Sequence, residues 1–238
     1  MAIYTSKTRI DLEDVGYSNK ITNKAILKIL ENAGARQSET IHFGLNDMEN
    51  VGFSWILLGW KVKILKRPIY NEELTINTWG RDSNRIFTYR DYEIYDESGE
   101  LCAIATSKWA IVDINTGKLR ELTPEIIEKY QCETKKVFEE DYTLKLKEPV
   151  TIIRKQEYKA QRRDIDINKH IHNLYYLDYA YEVLPEEVYE APECNNIEIM
   201  YKKQIRLNDE FKCLYTKEEN QNIVTMKSED ENTLHAII

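Results

Sequence analysis

Glycine is absent from the second half of this chain. All eight (Gly16, Gly34, Gly44, Gly52, Gly59, Gly80, Gly99 and Gly117) lie in the first half, and none are spaced as GxGxxG or GxxxxGK[ST]. Loops that cradle phosphates through exposed backbone N–H groups need such glycines for close approach, so nucleotide-dependent chemistry is not expected, and no cofactor is. Cysteine is scarce as well. Cys102, Cys132, Cys194 and Cys213 show no close pairing, which suits reduced thiols in the cytoplasm better than a disulfide framework or a zinc knuckle. No apolar run reaches the roughly 18 residues of a membrane span. The opening MAIYTSKTRIDLEDV lacks the basic-then-apolar order of a secretion signal. Positive charge is in the minority: 33 Lys and Arg against 41 Asp and Glu leave a net charge of -8. A nucleic-acid partner would want a basic face, so none is expected.

What remains is a chain of 238 residues, 42% hydrophobic and 31% charged, as expected of a soluble protein with room for two domains. A short strand is expected around residues 3 to 12. In TNKAILKILENA at 22 to 33, Thr22 is placed to cap a helix. Ala25, Ile26, Ile29, Leu30 and Ala33 form its apolar stripe, and Gly34 is placed to stop it. Strand-like runs follow at 53 to 65, 73 to 79, 85 to 95 and 101 to 114, punctuated by the turn signals DESG and NTGK.

The order then repeats. A charged stretch runs from Glu121 to Glu148, and residues 151 to 166 look like a strand. Asn173 is placed to cap a helix over LYYLDYAYEVL, with Leu174, Leu177, Tyr181 and Leu184 as its stripe and Pro185 as its stop. Strands are expected at 197 to 207, 210 to 216, 222 to 228 and 233 to 238. NEELTINT at 71 to 78 is echoed by NDEFKCLY at 208 to 215. One helix followed by four strands, twice, excludes a doubly wound sheet. It predicts an α+β chain of two tandem hotdog domains, each an antiparallel sheet wrapped around a central helix. The expected bounds are 1–125 and 149–238, with a linker over 126–148.

The densest chemistry is DIDINKHIHN at 164 to 173. Read as extended chain, its period of two puts Asp164, Asp166, Asn168, His170 and His172 on one face. Four uses compete. The polar groups can merely cap backbone and meet solvent, as alternating residues on an edge strand often do. Asp164-x-Asp166-x-Asn168 opens like an EF-hand, but Lys169 and Tyr175 stand where Gly and Glu are required. His170 and His172 offer two zinc ligands without a third; His42 and His235 lie elsewhere, and no metal is expected. The last use is acid–base hydrolysis. Asp166 and Asn168 would orient His170 or a water, and the first N–H groups of the following helix would hold an oxyanion.

The same run, Asp164-Ile165-Asp166-Ile167-Asn168-Lys169-His170-Ile171-His172-Asn173, resembles the D-L-D-x-N-x-H-x-N-N signature of the fatty acyl-ACP thioesterases of plants and bacteria. The resemblance extends over nearly the whole chain. WILLGWKVKILKRPIYNEELTINTW at 55 to 79 is similar to the family's first-domain strand pair, and ATSKWAIVDINTGKL at 105 to 119 to its A-T-S-x-W segment. LPEEV at 184 to 188 follows the helix as in that family. The resemblance implies hydrolysis of the thioester between a fatty acyl chain and acyl carrier protein, within fatty acid biosynthesis. It implies a catalytic second domain and a first domain that supplies most of the acyl pocket. Carried over by position, the catalytic residues are Asp166, Asn168 and His170.

One segment departs from the plant pattern. Where plant members carry Tyr-Arg-Arg-Glu-Cys with a catalytic Glu, this chain has Tyr201-Lys202-Lys203-Gln204-Ile205. Gln204 cannot be a base, though its amide can hold a water, and Ile205 cannot be a nucleophile. The base is then Asp166 or His170, and Glu198 is the nearest spare carboxylate in sequence. An acidic carrier would need a local basic patch. The candidates are Lys61, Lys63, Lys66 and Arg67, then Arg162 and Arg163, then Lys202 and Lys203. Three alternatives stay open: an acyl-CoA thioesterase, a hydroxyacyl-thioester dehydratase using Glu31, and a non-catalytic hotdog that senses acyl thioesters. A homodimer also stays open, since two hotdogs in one chain already form a pseudo-dimer.

Overall fold

The computed structural model describes residues 3–81, 84–140, 143–189 and 194–238. The chain splits into two compact units, Met1–Thr143 and Leu144–Ile238. Among the described residues, no helix is long and apolar enough to cross a membrane.

In the first unit, β1 (Tyr4–Arg9) leads through a short 3-10 turn into helix α1 (Asn23–Thr40). Helix α2 (Met48–Val51) follows, then β2 (Phe53–Ile64), β3 (Glu73–Gly80), β4 (Thr88–Tyr95), β5 (Leu101–Asp113), the short β6 (Leu119–Arg120) and helix α3 (Pro124–Tyr130). The strands lie in the order β1-β3-β4-β5-β2, with β6 on β5, and every pair is antiparallel. Thr22 caps α1 as its sequence position suggests, its hydroxyl accepting the Ala25 N–H at 3.2 Å. The helix buries Ala25, Ile26, Leu27, Ile29, Leu30 and Ala33, and continues past its apolar stripe to bury Gln37 and Ser38.

That continuation corrects the expected stop at Gly34, which sits inside α1. A Cβ there would lie 3.0 Å from Tyr92 Oη and 3.2 Å from Arg90 Cδ, so the missing side chain serves the approach of α1 to β4. The polar last turns are held by tertiary partners. Arg90 donates to Gln37, and Ser38 Oγ lies 2.7 Å from Tyr130 Oη. Helix α3 is a second departure, since it falls partly in the stretch expected to be linker. Its Ile126 and Tyr130 are buried with Phe43, Phe53, Ile111 and Leu122. Trp60 and Trp79 are fully buried.

The second unit repeats the plan. Strand β7 (Arg154–Lys159) and a 3-10 turn lead into helix α4 (Tyr175–Glu182). Helix α5 (Glu186–Tyr189), β8 (Asn196–Tyr201), β9 (Glu210–Glu218), β10 (Gln221–Ser228) and β11 (Leu234–Ile237) follow. The order β7-β9-β10-β11-β8 reproduces that of the first unit strand for strand, again antiparallel. Tyr176 and Ala180 of α4 pack against Phe211, Cys213, Tyr215, Val224 and Met226 of the sheet. The sheet around a buried helix is the hotdog fold, present in each unit. The sequence echo has a structural meaning too. Asn71 and Asn208, its first residues, adopt the left-handed conformation with φ of 70° and 69° just before β3 and β9.

Because α1 and β4 approach through Gly34, Gly34→Leu should destabilise the protein by about 1–3 kcal/mol, as overpacking does. Leucine's better helix propensity, worth under about 1 kcal/mol over glycine, would not compensate. Denaturant unfolding with an unchanged or raised midpoint would contradict this packing.

Candidate active site

The stretch expected to run as an extended strand folds back on itself. Asp164 ends a 3-10 turn (Arg162–Asp164), and Ile165 pairs with Ile171 in an isolated antiparallel bridge. Between them the chain makes a tight turn. The Lys169 N–H donates to the Asp166 carbonyl at 3.0 Å, the Asp166 N–H to the His170 carbonyl at 2.9 Å, and Lys169 takes a positive φ of 64°. The row of five on one face is therefore absent. Asp164 is buried, Asp166, His170 and His172 are half-buried, and Asn168 is exposed. Period two failed here because a short polar side chain can bond its own following backbone and offer the chain a turn instead of a ladder.

Asp166 is that side chain. Its Oδ1 accepts the Asn168 N–H at 2.8 Å and the His170 N–H at 3.3 Å. Its Oδ2 meets the Asn168 Nδ2 only at 3.5 Å. One oxygen is thus spent on shaping the turn while the other stays weakly engaged. The turn brings Asp166, Asn168 and His170 together by chain reversal. His170 also pairs through its backbone with Arg206, and the Ile171 N–H donates to the Ile205 carbonyl at 2.8 Å. Burial holds the His170 imidazole below the ordinary histidine range. The Asp166 charge pulls it up, and Arg206 pushes it further down. A half-buried imidazole kept neutral near pH 7 beside a carboxylate can accept a proton.

The start of α4 corrects another expectation. Asn173 does not cap the helix. The His172 Nδ1 accepts the Leu174 N–H at 3.3 Å, the Tyr175 N–H donates to the His172 carbonyl at 2.9 Å, and the Tyr176 N–H to the Asn173 carbonyl at 3.4 Å. These three donors, expected to serve an oxyanion, are occupied within the turn. His172 is thereby a helix-start residue, its ring edge-on to Tyr175. Among the described residues, no group of three or more His, Cys, Asp or Glu is arranged to hold a metal ion.

Gln204 is exposed, one residue before the Ile205 whose carbonyl pairs with Ile171. Glu198 is half-buried in β8, and Glu31 half-buried on α1. Of the basic candidates, Arg67 is committed to structure, donating to the Ile21 carbonyl at 2.8 Å and to Asn23 Oδ1 at 2.6 Å. Lys66 pairs with Asp96 at 2.6 Å and Glu100 at 2.5 Å. Lys61 lies over the Phe138 ring, and Arg163 faces Asp164 at 3.7 Å. Lys63, Lys202 and Lys203 are exposed.

The sequence reading missed a second copy of this loop. In the first unit Val15 bridges Ile21, and Lys20 bridges Ile69 as His170 bridges Arg206. The Gly16 N–H donates to the Lys20 carbonyl at 3.0 Å, the Asn19 N–H to the Gly16 carbonyl at 2.9 Å, and Asn19 takes a φ of 60°. Residue for residue, Gly16, Ser18 and Lys20 occupy the places of Asp166, Asn168 and His170. DVGYSNKITN and DIDINKHIHN share only Asp, Ile and Asn at matched places. The signal was present, but it lay in backbone turns that dissimilar side chains adopt equally well.

If Asp166 and His170 are neighbours as described, the imidazole's NMR titration should have its midpoint below that of a free histidine. Asp166→Asn should lower it further, because the carboxylate is what holds it up. A midpoint unmoved by that substitution would break the pairing.

Comparisons with known proteins agree along the chain. The family model for the acyl-ACP thioesterase N-terminal domain matches residues 1–130, and that for the C-terminal domain matches residues 147–237. Oleoyl-acyl carrier protein thioesterase 2, chloroplastic, of Arabidopsis thaliana is 25% identical over 93% of this chain and 65% of its own length. The Coriandrum sativum oleoyl-acyl carrier protein thioesterase is 25% identical over 94% of this chain and 65% of its own. This chain thus spans less than two thirds of the length of these two curated relatives, 65% of each. Among solved structures, an acyl-ACP thioesterase from Bacteroides thetaiotaomicron superposes with a TM-score of 0.86 at 22% identity, covering 99% of this chain and 96% of that one. A 12:0-ACP thioesterase from Umbellularia californica superposes with a TM-score of 0.87 at 17% identity, covering 100% and 96%. With both domain models matched in order, the chain belongs to the acyl-ACP thioesterase family.

Proposed function

We propose that this protein hydrolyses fatty acyl thioesters of acyl carrier protein, with Asp166, Asn168 and His170 as its catalytic residues. The observation that carries the reading is the Asp166 carboxylate. It is pinned through one oxygen to the turn, with the other weakly engaged beside an imidazole held neutral by burial.

In this mechanism a water hydrogen-bonded to Asp166 Oδ2 and His170 attacks the thioester carbonyl carbon, and its proton passes to His170. Asn168, exposed at the tip of the turn, directs its amide N–H toward the carbonyl oxygen as negative charge develops there. It takes the part that the occupied N–H groups of α4 leave open. The tetrahedral intermediate then expels the carrier's thiolate, which recovers the proton from His170. The products are a free fatty acid and a free carrier thiol, and no covalent enzyme intermediate is formed. Gln204 serves at most to hold the water, since an amide cannot take its proton. Among the basic candidates, the exposed Lys202 and Lys203 suit an acidic carrier best, with Lys63 next. Lys61 is turned to Phe138, and Arg67 is excluded from docking by its bonds within the first unit. Cys102, Cys132, Cys194 and Cys213 form no disulfide, which fits a reducing, cytoplasmic setting.

Gln204 favours one second reading, a non-catalytic hotdog that binds acyl thioesters. Thiol release from acyl-ACP and acyl-CoA across chain lengths, corrected for the four protein cysteines, separates the two. Hydrolysis of acyl-ACP is expected, with His170→Ala at least about a hundredfold slower though still folded. Release from acyl-CoA alone would change the substrate. Binding without release from either would establish the sensor.

A further inference from the structure

The loop that carries the candidate catalytic residues hangs from a residue that the proposed mechanism does not use. Asp164 is buried, with 4% of its surface exposed. Its Oδ2 accepts two hydrogen bonds, from the Gln161 N–H at 2.7 Å and from the Tyr179 hydroxyl at 2.6 Å. Its backbone closes the base of the turn. The Asp164 N–H donates to the Gln161 carbonyl at 3.0 Å, and its carbonyl accepts the His172 N–H at 2.8 Å. The base of the turn is thus closed beside this carboxylate, while His170 and Ile171 tie the turn to Arg206 and Ile205.

The first unit shows which part of this arrangement belongs to the fold and which does not. Asp14 stands at the same place. It accepts the Asp11 N–H at 3.1 Å, and its carbonyl accepts the Thr22 N–H at 2.9 Å. The buried aspartate is thus common to both loops. Its second partner differs. Asp14 is met by the ammonium of Lys28, whereas the residue fifteen positions after it on α1 is Ile29. Asp164 is met fifteen positions on by a phenol, whose ring is wedged between Tyr158 and Phe211 with centroids at 4.9 Å from each. A lysine is a flexible point charge. A tyrosine locked in an aromatic cluster fixes both the distance and the direction of its hydroxyl. The rigid partner occurs in the loop that holds Asp166 and His170, and the flexible one in the loop that holds Gly16 and Lys20.

We infer that Asp164 and Tyr179 are a positioning pair that fixes the Asp166–His170 turn against helix α4 in its catalytic geometry. This rests on the proposed hydrolysis for its kinetic consequences, but not for its structural ones. Active-site groups need placement to a fraction of an ångström, and a short bond from a rigid phenol to a buried carboxylate supplies it.

Tyr158→Phe provides an internal control, because the Tyr158 hydroxyl is buried in the same aromatic cluster with no hydrogen-bond partner. In the full chain, Tyr179→Phe should lower kcat about 3- to 30-fold with KM within about twofold, and should move the NMR titration midpoint of His170. Tyr158→Phe should do neither. Asp164→Asn should act in the same direction, and the double variant Asp164→Asn/Tyr179→Phe should be little worse than the poorer single one, because the two residues act as a unit. A Tyr179→Phe protein indistinguishable from Tyr158→Phe in kcat and in the His170 titration would overturn the pair, as would losses that simply add. Were the parent protein to hydrolyse no acyl thioester, the functional reading would fail, and the His170 titration would still decide the positioning role.

Discussion

Each unit turns on one buried carboxylate. Asp14 and Asp164 each accept a backbone N–H from three residues earlier and lend their own carbonyl to the residue that leads into the helix. Burying a carboxylate is costly unless it is hydrogen-bonded, so a chain that places one there must also supply its partners. Those partners set the path of everything between β1 and α1, and between β7 and α4. The two tight turns, the Val15–Ile21 and Ile165–Ile171 bridges and the positive φ of Asn19 and Lys169 lie within that closure.

On this shared backbone the side chains diverge. The first unit's loop carries Gly16, Ser18 and Lys20, and no pair among them can take a proton from water at neutral pH. The second carries Asp166, Asn168 and His170. The central helices diverge in the same sense. Helix α1 is long, aliphatic at its start and polar where Gln37 and Ser38 meet Arg90 and Tyr130. Helix α4 is short and tyrosine-rich, and phenols on and beside it bond to the loop and to its backbone. Tyr179 reaches Asp164, and Tyr201 of β8 reaches the Asn173 carbonyl at 3.1 Å. The repeated fold keeps its hydrogen-bond skeleton, while the carboxylate, amide and imidazole stand in the second loop alone of the two.

The legibility of the sequence follows the same division between pattern and turn. Strands announced by alternation or by apolar runs, such as Phe53–Ile64 and Leu101–Asp113, lie where their residues suggest. So does the Thr22 cap, because a hydroxyl three residues before an apolar stripe is placed to accept the first free helix N–H groups. Besides the Asn173 cap, three features run against their sequence pattern. Gly34 looked like a stop because it ended the stripe, but its purpose is a close approach to Tyr92 that only the assembled sheet defines. Helix α3 looked like linker because five of its seven residues are not aliphatic, although Ile126 and Tyr130 are enough to anchor it. DIDINKHIHN looked extended because alternation is strong evidence for a strand unless an aspartate can bond its own neighbours first. Reversal of the chain, rather than a shared strand face, brings Asp166, Asn168 and His170 onto one turn.

Gln204 is the remaining tension, and the repeat bears on it. The residue at the same backbone place in the first unit is Arg67, one before the Pro68 carbonyl that accepts the Ile21 N–H, as Gln204 is one before the Ile205 carbonyl that accepts the Ile171 N–H. Arg67 uses that position to clamp the loop to the helix start, bonding the Ile21 carbonyl and Asn23 Oδ1. In the second unit the same backbone place holds the exposed Gln204. This amide carries no charge, and Asp166 and Asp209 are the carboxylates that raise the proton affinity of His170 against its burial. With an amide at position 204, the proposed proton acceptors are those of the turn that Asp164 closes through its backbone.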